Sequence, residues 1–151
     1  MRFQGCAPID AGVIPTPAVS YLTPRRGAIL GAVVSASHNP PEFNGIKFFD
    51  ASGLKASLKV EEEVERSLLA GVRGPSKKAL ASRLADHSAA KDYLDFLRST
   101  FPATRDLRGL RLVVDGAHGA ASRLAPGFLR SLGAAVFALG RQVAEMAAGE
   151  G

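Results

Sequence analysis

Apolar positions along this chain follow two rhythms, one alternating and one helical, and together they predict strands and helices in succession. Ile29-Leu30-Gly31-Ala32-Val33-Val34 is a short run of small and β-branched residues, which predicts a buried strand ending at Ser35. Gly45 to Asp50 alternates Ile46 and Phe48 with Lys47 and Phe49 and runs into Ala51-Ser52-Gly53, which predicts a second strand and a tight turn. Between them, Asn39-Pro40-Pro41 continues neither strand nor helix, because each proline removes a backbone donor and restricts the residue before it. A loop is therefore expected, with Ser37 and His38 at its start.

The helical rhythm appears on both sides of that pair. Pro17 to Leu22 predicts a short helix, with Pro17 in the first turn and Pro24 and Gly27 ending it. Ser57 to Leu69 is the clearest helix: Val60, Val64 and Leu68 recur at four-residue spacing, glutamates load the early turns, and Gly71 stands ready to cap the end. Packing through that stripe is its expected role. Ser88 to Phe101 repeats the pattern, with Tyr93, Leu94, Leu97 and Phe101 on the apolar side and Pro102 as the stop. Leu110 to Asp115 then predicts a strand, Ser122 to Leu132 a helix with Pro126 in its first turn or at a kink, and Ala134 to Leu139 a strand, which suggests a right-handed βαβ unit. The fold class is α/β. The first sheet is mixed if the Ser37 loop joins neighbouring strands.

Glycine, proline, serine and basic residues interrupt the periodicity between Gly71 and Asp86, so a junction is expected there, with one piece over residues 1–84 and another over 85–151. The net charge of +5 is concentrated in the first piece, partly at Arg73, Lys77, Lys78 and Arg83. A nucleic-acid patch is one reading of that block. A solvated linker is favoured, because no aromatic residue interleaves with the cations. A positive field also suits an anionic substrate.

Composition removes several other classes. The hydrophobic share of 46% over 151 residues suffices for a core. Cys6 is the single cysteine, which excludes an internal disulfide framework and points to a free thiol in a reducing compartment. His38, His87 and His118 lack the spacing of a zinc site. With no apolar stretch long enough to cross a bilayer and no signal-peptide layout at residues 1–14, a soluble cytoplasmic protein is expected, acting on neither membrane nor nucleic acid.

Candidate chemistry gathers around the predicted loop. Ser35-Ala36-Ser37-His38-Asn39-Pro40, followed by Asn44-Gly45-Ile46-Lys47, puts a hydroxyl, an imidazole and an ammonium close together in sequence. Serine is a weak nucleophile unless a base or preorganised charge assists it, and phosphoryl transfer asks mainly for positioning and cations around the transferred group. Lys47 can supply such a cation, and His38 can move a proton. The plainer alternative is a polar turn whose Ser, His and Asn satisfy backbone groups. Farther on, Gly116 and Gly119 precede a predicted helix, where glycines can cradle a phosphate, although Asp115-Gly116-Ala117-His118-Gly119 matches no nucleotide-binding fingerprint.

Taken whole, the string Ser35–Pro40 with Asn44–Phe49 resembles the phosphoserine loop of the α-D-phosphohexomutase family, and most of all its branch acting on glucosamine phosphates. Gly12–Leu22 is similar to the segment preceding that loop, and Gly109–Ala120 to the start of the family's second domain. The resemblance covers about residues 12–140 and implies incomplete phosphohexomutase-type domains, mixed sheets flanked by helices. It implies an isomerase in which Ser37 carries a phosphate and exchanges it with a hexose or hexosamine monophosphate through a bisphosphate. Glucosamine 6-phosphate and glucosamine 1-phosphate are the favoured pair, with mannose or glucose phosphates as alternatives. By the same resemblance, Ser37, His38 and Lys47 are catalytic, Asn39 and Lys47 bind substrate, and Mg²⁺ contacts the Ser37 phosphate. The family's aspartate ligands come from an Asp-Gly-Asp-Gly-Asp motif that this chain lacks: Asp10, Asp50, Asp86, Asp92, Asp95, Asp106 and Asp115 never stand two apart. Residues Met1–Pro8 and Arg141–Gly151 fall outside the resemblance, which reads as a piece of a mutase, with slow or no turnover expected of it alone. A non-catalytic fragment that binds another chain is the second hypothesis. A serine hydrolase is the third and weakest, since no Gly-x-Ser-x-Gly elbow surrounds Ser35 or Ser37.

Overall fold

The computed structural model describes residues 7–35, 39, 42–71 and 84–140. The chain divides into two compact units, Met1–Gly12 with Thr16–His87 and Val13–Pro15 with Ser88–Gly151.

The first unit holds β1 (Ile9–Asp10), α1 (Thr16–Arg25), β2 (Leu30–Val34), β3 (Ile46–Asp50), α2 (Leu58–Leu69) and β4 (Leu84–Ala85). Antiparallel β2 and β3 pair from Leu30 opposite Asp50 to Val34 opposite Ile46, so the Ser37 loop does join neighbouring strands. The parallel partners β1 and β4 form a separate two-stranded sheet, so parallel and antiparallel pairings coexist without merging into one mixed sheet among the described residues. Leu84 and Ala85, assigned from sequence to the junction, are thus a strand of this unit. Beside them, Arg26 donates from Nε to Asp86 Oδ2 at 2.6 Å in a part-buried pair, tying the end of α1 to the end of β4.

Helix α1 buries Ala18, Leu22 and Thr23. It runs past Pro24, three residues beyond the predicted Leu22, and then stops in a glycine-dependent cap. Gly27 adopts φ +60°, the Gly27 N–H donates to Pro24 O, and the Ala28 N–H donates to Thr23 O, which together satisfy the last carbonyls. Gly31 lets β2 approach the helix: a Cβ there would collide with Thr23 Oγ1 and sit 3.2 Å from Val19 Cγ1. Helix α2 starts just after Ser57, the first residue of the predicted range, but none of its residues is buried. Val60 and Leu68 are exposed and Val64 half-buried, so the packing role expected of that stripe is not met among the described residues. Periodicity reports which face is apolar, and burial needs a surface to meet it.

The second unit holds α3 (Ala89–Thr100), β5 (Arg111–Asp115), a 3₁₀ turn at Ala120–Ser122, α4 (Ala125–Ser131) and β6 (Ala135–Leu139). Strands β5 and β6 are parallel and in register from Arg111 opposite Ala135 to Asp115 opposite Leu139, with α4 in the connection and packed on β6. This is the βαβ unit the sequence suggests. The predicted single helix over 122–132 is instead a 3₁₀ turn followed by a shorter α-helix, because Pro126 fits only a first turn. In α3 the apolar side is as expected, with Tyr93 buried and its ring 6.4 Å from that of Phe96.

Candidate functional site

The hairpin neck positions the loop that carries the candidate chemistry. Val34 and Ile46 form the last ladder pair, and one residue farther the Ser35 N–H donates to Gly45 O at 2.8 Å. Residues 36–44 are therefore closed off at their base by a hydrogen-bonded pair, with Ser37 two residues beyond the neck. Gly45 sits where a Cβ would lie 3.3 Å from Ser35 O, so a small residue favours this closure. Ser37 and His38 lie outside the described residues. Asn39 is exposed.

Lys47 is the second residue of β3, one residue past the neck and opposite Val33. Side chains in a strand alternate faces, so Lys47 shares a face with Phe49 and with its partners Val33 and Gly31. That is the face α1 covers, since Gly31 meets Thr23 and Val19 there. Lys47 is half-buried and makes no ion pair or hydrogen bond to another described residue. A cation held on a strand beside a loop base, with its charge unspent, can meet an anion.

The far end of β3 is anchored by a turn whose importance sequence reading missed. Asp50 Oδ1 accepts from the Ser52 N–H at 2.8 Å, the Ser52 hydroxyl at 2.5 Å and the Leu54 N–H at 3.1 Å. The Ser52 hydroxyl is the main cause holding the Asp50 carboxyl below its ordinary 3.8; desolvation opposes it, and the backbone donors at 52, 53 and 54 assist. Because the folded value lies below the unfolded one, the contribution is present above the unfolded value and is lost as pH falls through the folded value. A carbon-13 NMR titration is expected to place the Asp50 midpoint below 3.8, and Ser52→Ala to move it upward; an unchanged midpoint in that variant would exclude this account of the turn. The signal was legible as Asp-x-Ser at a strand's end, a sequence able to form an Asx turn.

Gly53 completes the anchor. Its φ is +83°, its carbonyl accepts the Ser20 hydroxyl at 2.5 Å, and a Cβ on it would collide with Ser20 O and lie 3.2 Å from Pro24 Cδ. Pro24 has no N–H for the Ser20 carbonyl four residues back, and Gly53 packs against the oxygen so exposed.

The glycines of the second unit form no phosphate cradle. Ala117 and His118 both adopt positive φ, 45° and 56°, but the Ala117 N–H donates to Asp115 Oδ1, the His118 N–H to Gly140 O and the Gly119 N–H to Gly116 O. These amides stabilise the strand-to-helix turn instead of offering themselves to an anion.

The residues present do not fit the Mg²⁺ ligand set that the resemblance implies. The chain contains no Asp-Gly-Asp-Gly-Asp, and among the described residues no group of three or more His, Cys, Asp or Glu is arranged to hold a metal. No helix among those residues is long and apolar enough to cross a membrane.

Residues 1–73 match the family model for phosphoglucomutase/phosphomannomutase, α/β/α domain I. That range takes in Met1–Pro8, which the sequence reading left outside the resemblance. The chain is 49% identical over 132 residues to a phosphoglucosamine mutase of Bordetella parapertussis, covering 86% of this chain and 29% of that protein. It is 48% identical over 131 residues to one from Thiobacillus denitrificans, covering 87% and 29%, so it spans under a third of the length of these relatives. Among solved structures, a chain described as a phosphomannomutase of Thermus thermophilus superposes with a TM-score of 0.73 at 26% identity, covering 89% of this chain and 31% of that one. A phosphoglucomutase/phosphomannomutase family protein of Burkholderia thailandensis shares the fold, with a TM-score of 0.70 at 24% identity. A domain-I match, identity near one half over most of the chain, and a shared fold together place this chain in the α-D-phosphohexomutase family, as a segment of its members' length.

Proposed function

We propose that this chain carries the phosphoserine part of a phosphoglucosamine mutase, interconverting glucosamine 6-phosphate and glucosamine 1-phosphate when the rest of such an enzyme is present. The observation that carries this reading is the 49% identity to a protein named phosphoglucosamine mutase. A match covering 86% of the chain cannot leave out residues 35–47. The first domain then extends past the expected 84/85 boundary to take in β4 and Asp86, and the second follows it.

In the proposed cycle Ser37 is phosphorylated. A free hydroxyl of the sugar monophosphate attacks phosphorus, the bond from phosphorus to Ser37 Oγ breaks, and a bisphosphate forms. The proton leaving the sugar hydroxyl passes to His38 or, through it, to Ser37 Oγ. After the bisphosphate turns round, Ser37 Oγ attacks the other phosphorus as its proton passes to His38, the bond from that phosphorus to the sugar oxygen breaks, and the isomeric monophosphate departs with that oxygen reprotonated from His38. Lys47 faces the non-bridging oxygens and offsets their charge, and Asn39 donates to substrate. Mg²⁺ supplies further charge neutralisation in phosphoryl transfer of this kind. The ligands in this chain are insufficient to hold it, so its site needs residues from elsewhere in a complete mutase.

That shortfall favours a second reading for the isolated chain, a mutase segment with little or no turnover. Mannose and glucose phosphates remain the alternative substrates, a choice favoured by the likeness to a phosphomannomutase fold at 26% identity.

Peptide mass spectrometry of the chain purified from bacterial cells, before and after incubation with a hexosamine bisphosphate and Mg²⁺, is expected to find phosphate on Ser37. It should be absent from Ser37→Ala. Phosphate on another residue, or none in either state, would remove Ser37 from the proposed role.

A further inference from the structure

We propose that Asn44 is a self-modification site, at which the Asn44–Gly45 peptide converts without an enzyme to aspartyl and isoaspartyl forms and so puts a carboxylate at the neck of the Ser37 loop. Asn39 and Asn44 are the two asparagines of the chain. After Asn39 comes Pro40, whose fully substituted nitrogen cannot attack the side chain. After Asn44 comes Gly45, whose nitrogen has a proton to lose and whose Cα carries no side chain to obstruct the approach.

The neck leaves that nitrogen available. Its hydrogen bond uses the Gly45 carbonyl, which accepts the Ser35 N–H at 2.8 Å. The Gly45 N–H donates to no other described residue, and the carboxamide of the exposed Asn44 is likewise held by none of them. The chain's one aspartyl-glycine sequence, Asp115-Gly116, has the opposite arrangement. There the Gly116 N–H donates to Leu139 O at 3.2 Å and Asp115 Oδ1 accepts the Ala117 N–H at 2.8 Å, so nucleophile and carboxyl are both engaged and must be freed before they can react.

The reaction needs only the chain and water. The Gly45 nitrogen loses its proton to hydroxide and bonds to Asn44 Cγ, the bond from Cγ to Nδ2 breaks, and ammonia leaves after taking a proton from water. The five-membered imide then adds one water. Opening at Cγ gives aspartate; opening at the main-chain carbonyl gives isoaspartate, in which the chain runs through Cγ and the former main-chain carboxyl is free. Either product adds a negative charge. Isoaspartate also lengthens the backbone by one methylene immediately before Gly45, which loosens the Ser35–Gly45 closure. None of this depends on whether Ser37 is phosphorylated.

The test incubates the folded 151-residue chain in mildly alkaline oxygen-18 water, beside the same chain in guanidinium chloride, and reads label at residues 44 and 115 by peptide mass spectrometry. Label at Asn44, with loss of its amide, is expected in the folded chain at a rate within tenfold of the unfolded one. Asn44→Gln should take up little, because the larger ring closes far more slowly. Label at Asp115 should be slowed more than tenfold by folding. Hydrogen exchange at the Ser35 amide should rise at least tenfold in the converted chain over the fresh one, and should not rise in incubated Asn44→Gln. Folding that slows label at Asn44 more than tenfold, or at Asp115 no more than at Asn44, would overturn the proposal. So would a Ser35 amide that exchanges equally fast before and after conversion.

Discussion

Replacing Gly53 with alanine is expected to destabilise the first unit by about 3 kcal/mol, an overpacking penalty added to a left-handed backbone penalty. The two contributions separate by comparison within one unit. Gly27 also has positive φ, but a Cβ there meets nothing within 4 Å, so Gly27→Ala should cost only about 1 kcal/mol. At Gly53 the same methyl collides with Ser20 O, a main-chain atom of α1 that cannot swing aside as a side chain would. Relief requires moving the turn away from the helix, which also weakens the Ser20 hydroxyl bond to Gly53 O and the purchase of β3 on α1. Urea denaturation of both variants checks this; equal effects at the two glycines would show that the close approach to Ser20 is not what holds the turn. The functional consequence is direct, because β3 carries Lys47 at its other end.

Replacing Lys47 with methionine should slow loading of phosphate onto Ser37 by roughly a hundredfold, the loss typical of one preorganised charge or donor at a transferring group. Methionine keeps most of the aliphatic stem, so the denaturation midpoint should hardly move. Lys47→Arg keeps a cation on the same strand position and should recover part of the rate, though its planar fork differs from a compact ammonium. The measurement is the rate of Ser37 phosphorylation from a hexosamine bisphosphate, followed by intact mass. A rate within threefold of wild type would mean that Lys47 is an ordinary half-buried lysine of the α1 face and has no part in the transfer.

Local order was largely legible in the residues. The apolar run before Ser35 and the alternation after Gly45 locate β2 and β3, and the paired prolines at 40 and 41 require a loop between them, because the determinants are short-range: side-chain branching, missing donors and strand periodicity. Ser57 and Ser88 mark helix starts for the same reason. The candidate site was legible as a string of residue types, Ser-Ala-Ser-His-Asn-Pro with Asn-Gly-x-Lys, whose chemistry needs no knowledge of distant neighbours to recognise.

What only the tertiary structure decided concerns which surfaces meet. The stripe on α2 is as regular as that on α3, yet α3 buries Ala89 and Tyr93 and α2 buries nothing, since an apolar stripe cannot specify the presence of a partner. The pairing of Leu84–Ala85 with Ile9–Asp10 is equally invisible in a segment dominated by glycine and charge, because two residues carry no period and their parallel alignment depends on where the intervening chain returns. The same holds for Gly53, whose need to be glycine comes from the Ser20 carbonyl left open by Pro24, far away in sequence, and for the Gly116–Gly119 amides, consumed by Leu139, Asp115, Gly140 and Gly116 in turn. Sequence by itself determined the elements and the chemical identity of the loop; packing between distant segments decided which glycines, amides and apolar faces are spent inside the fold and which stay exposed.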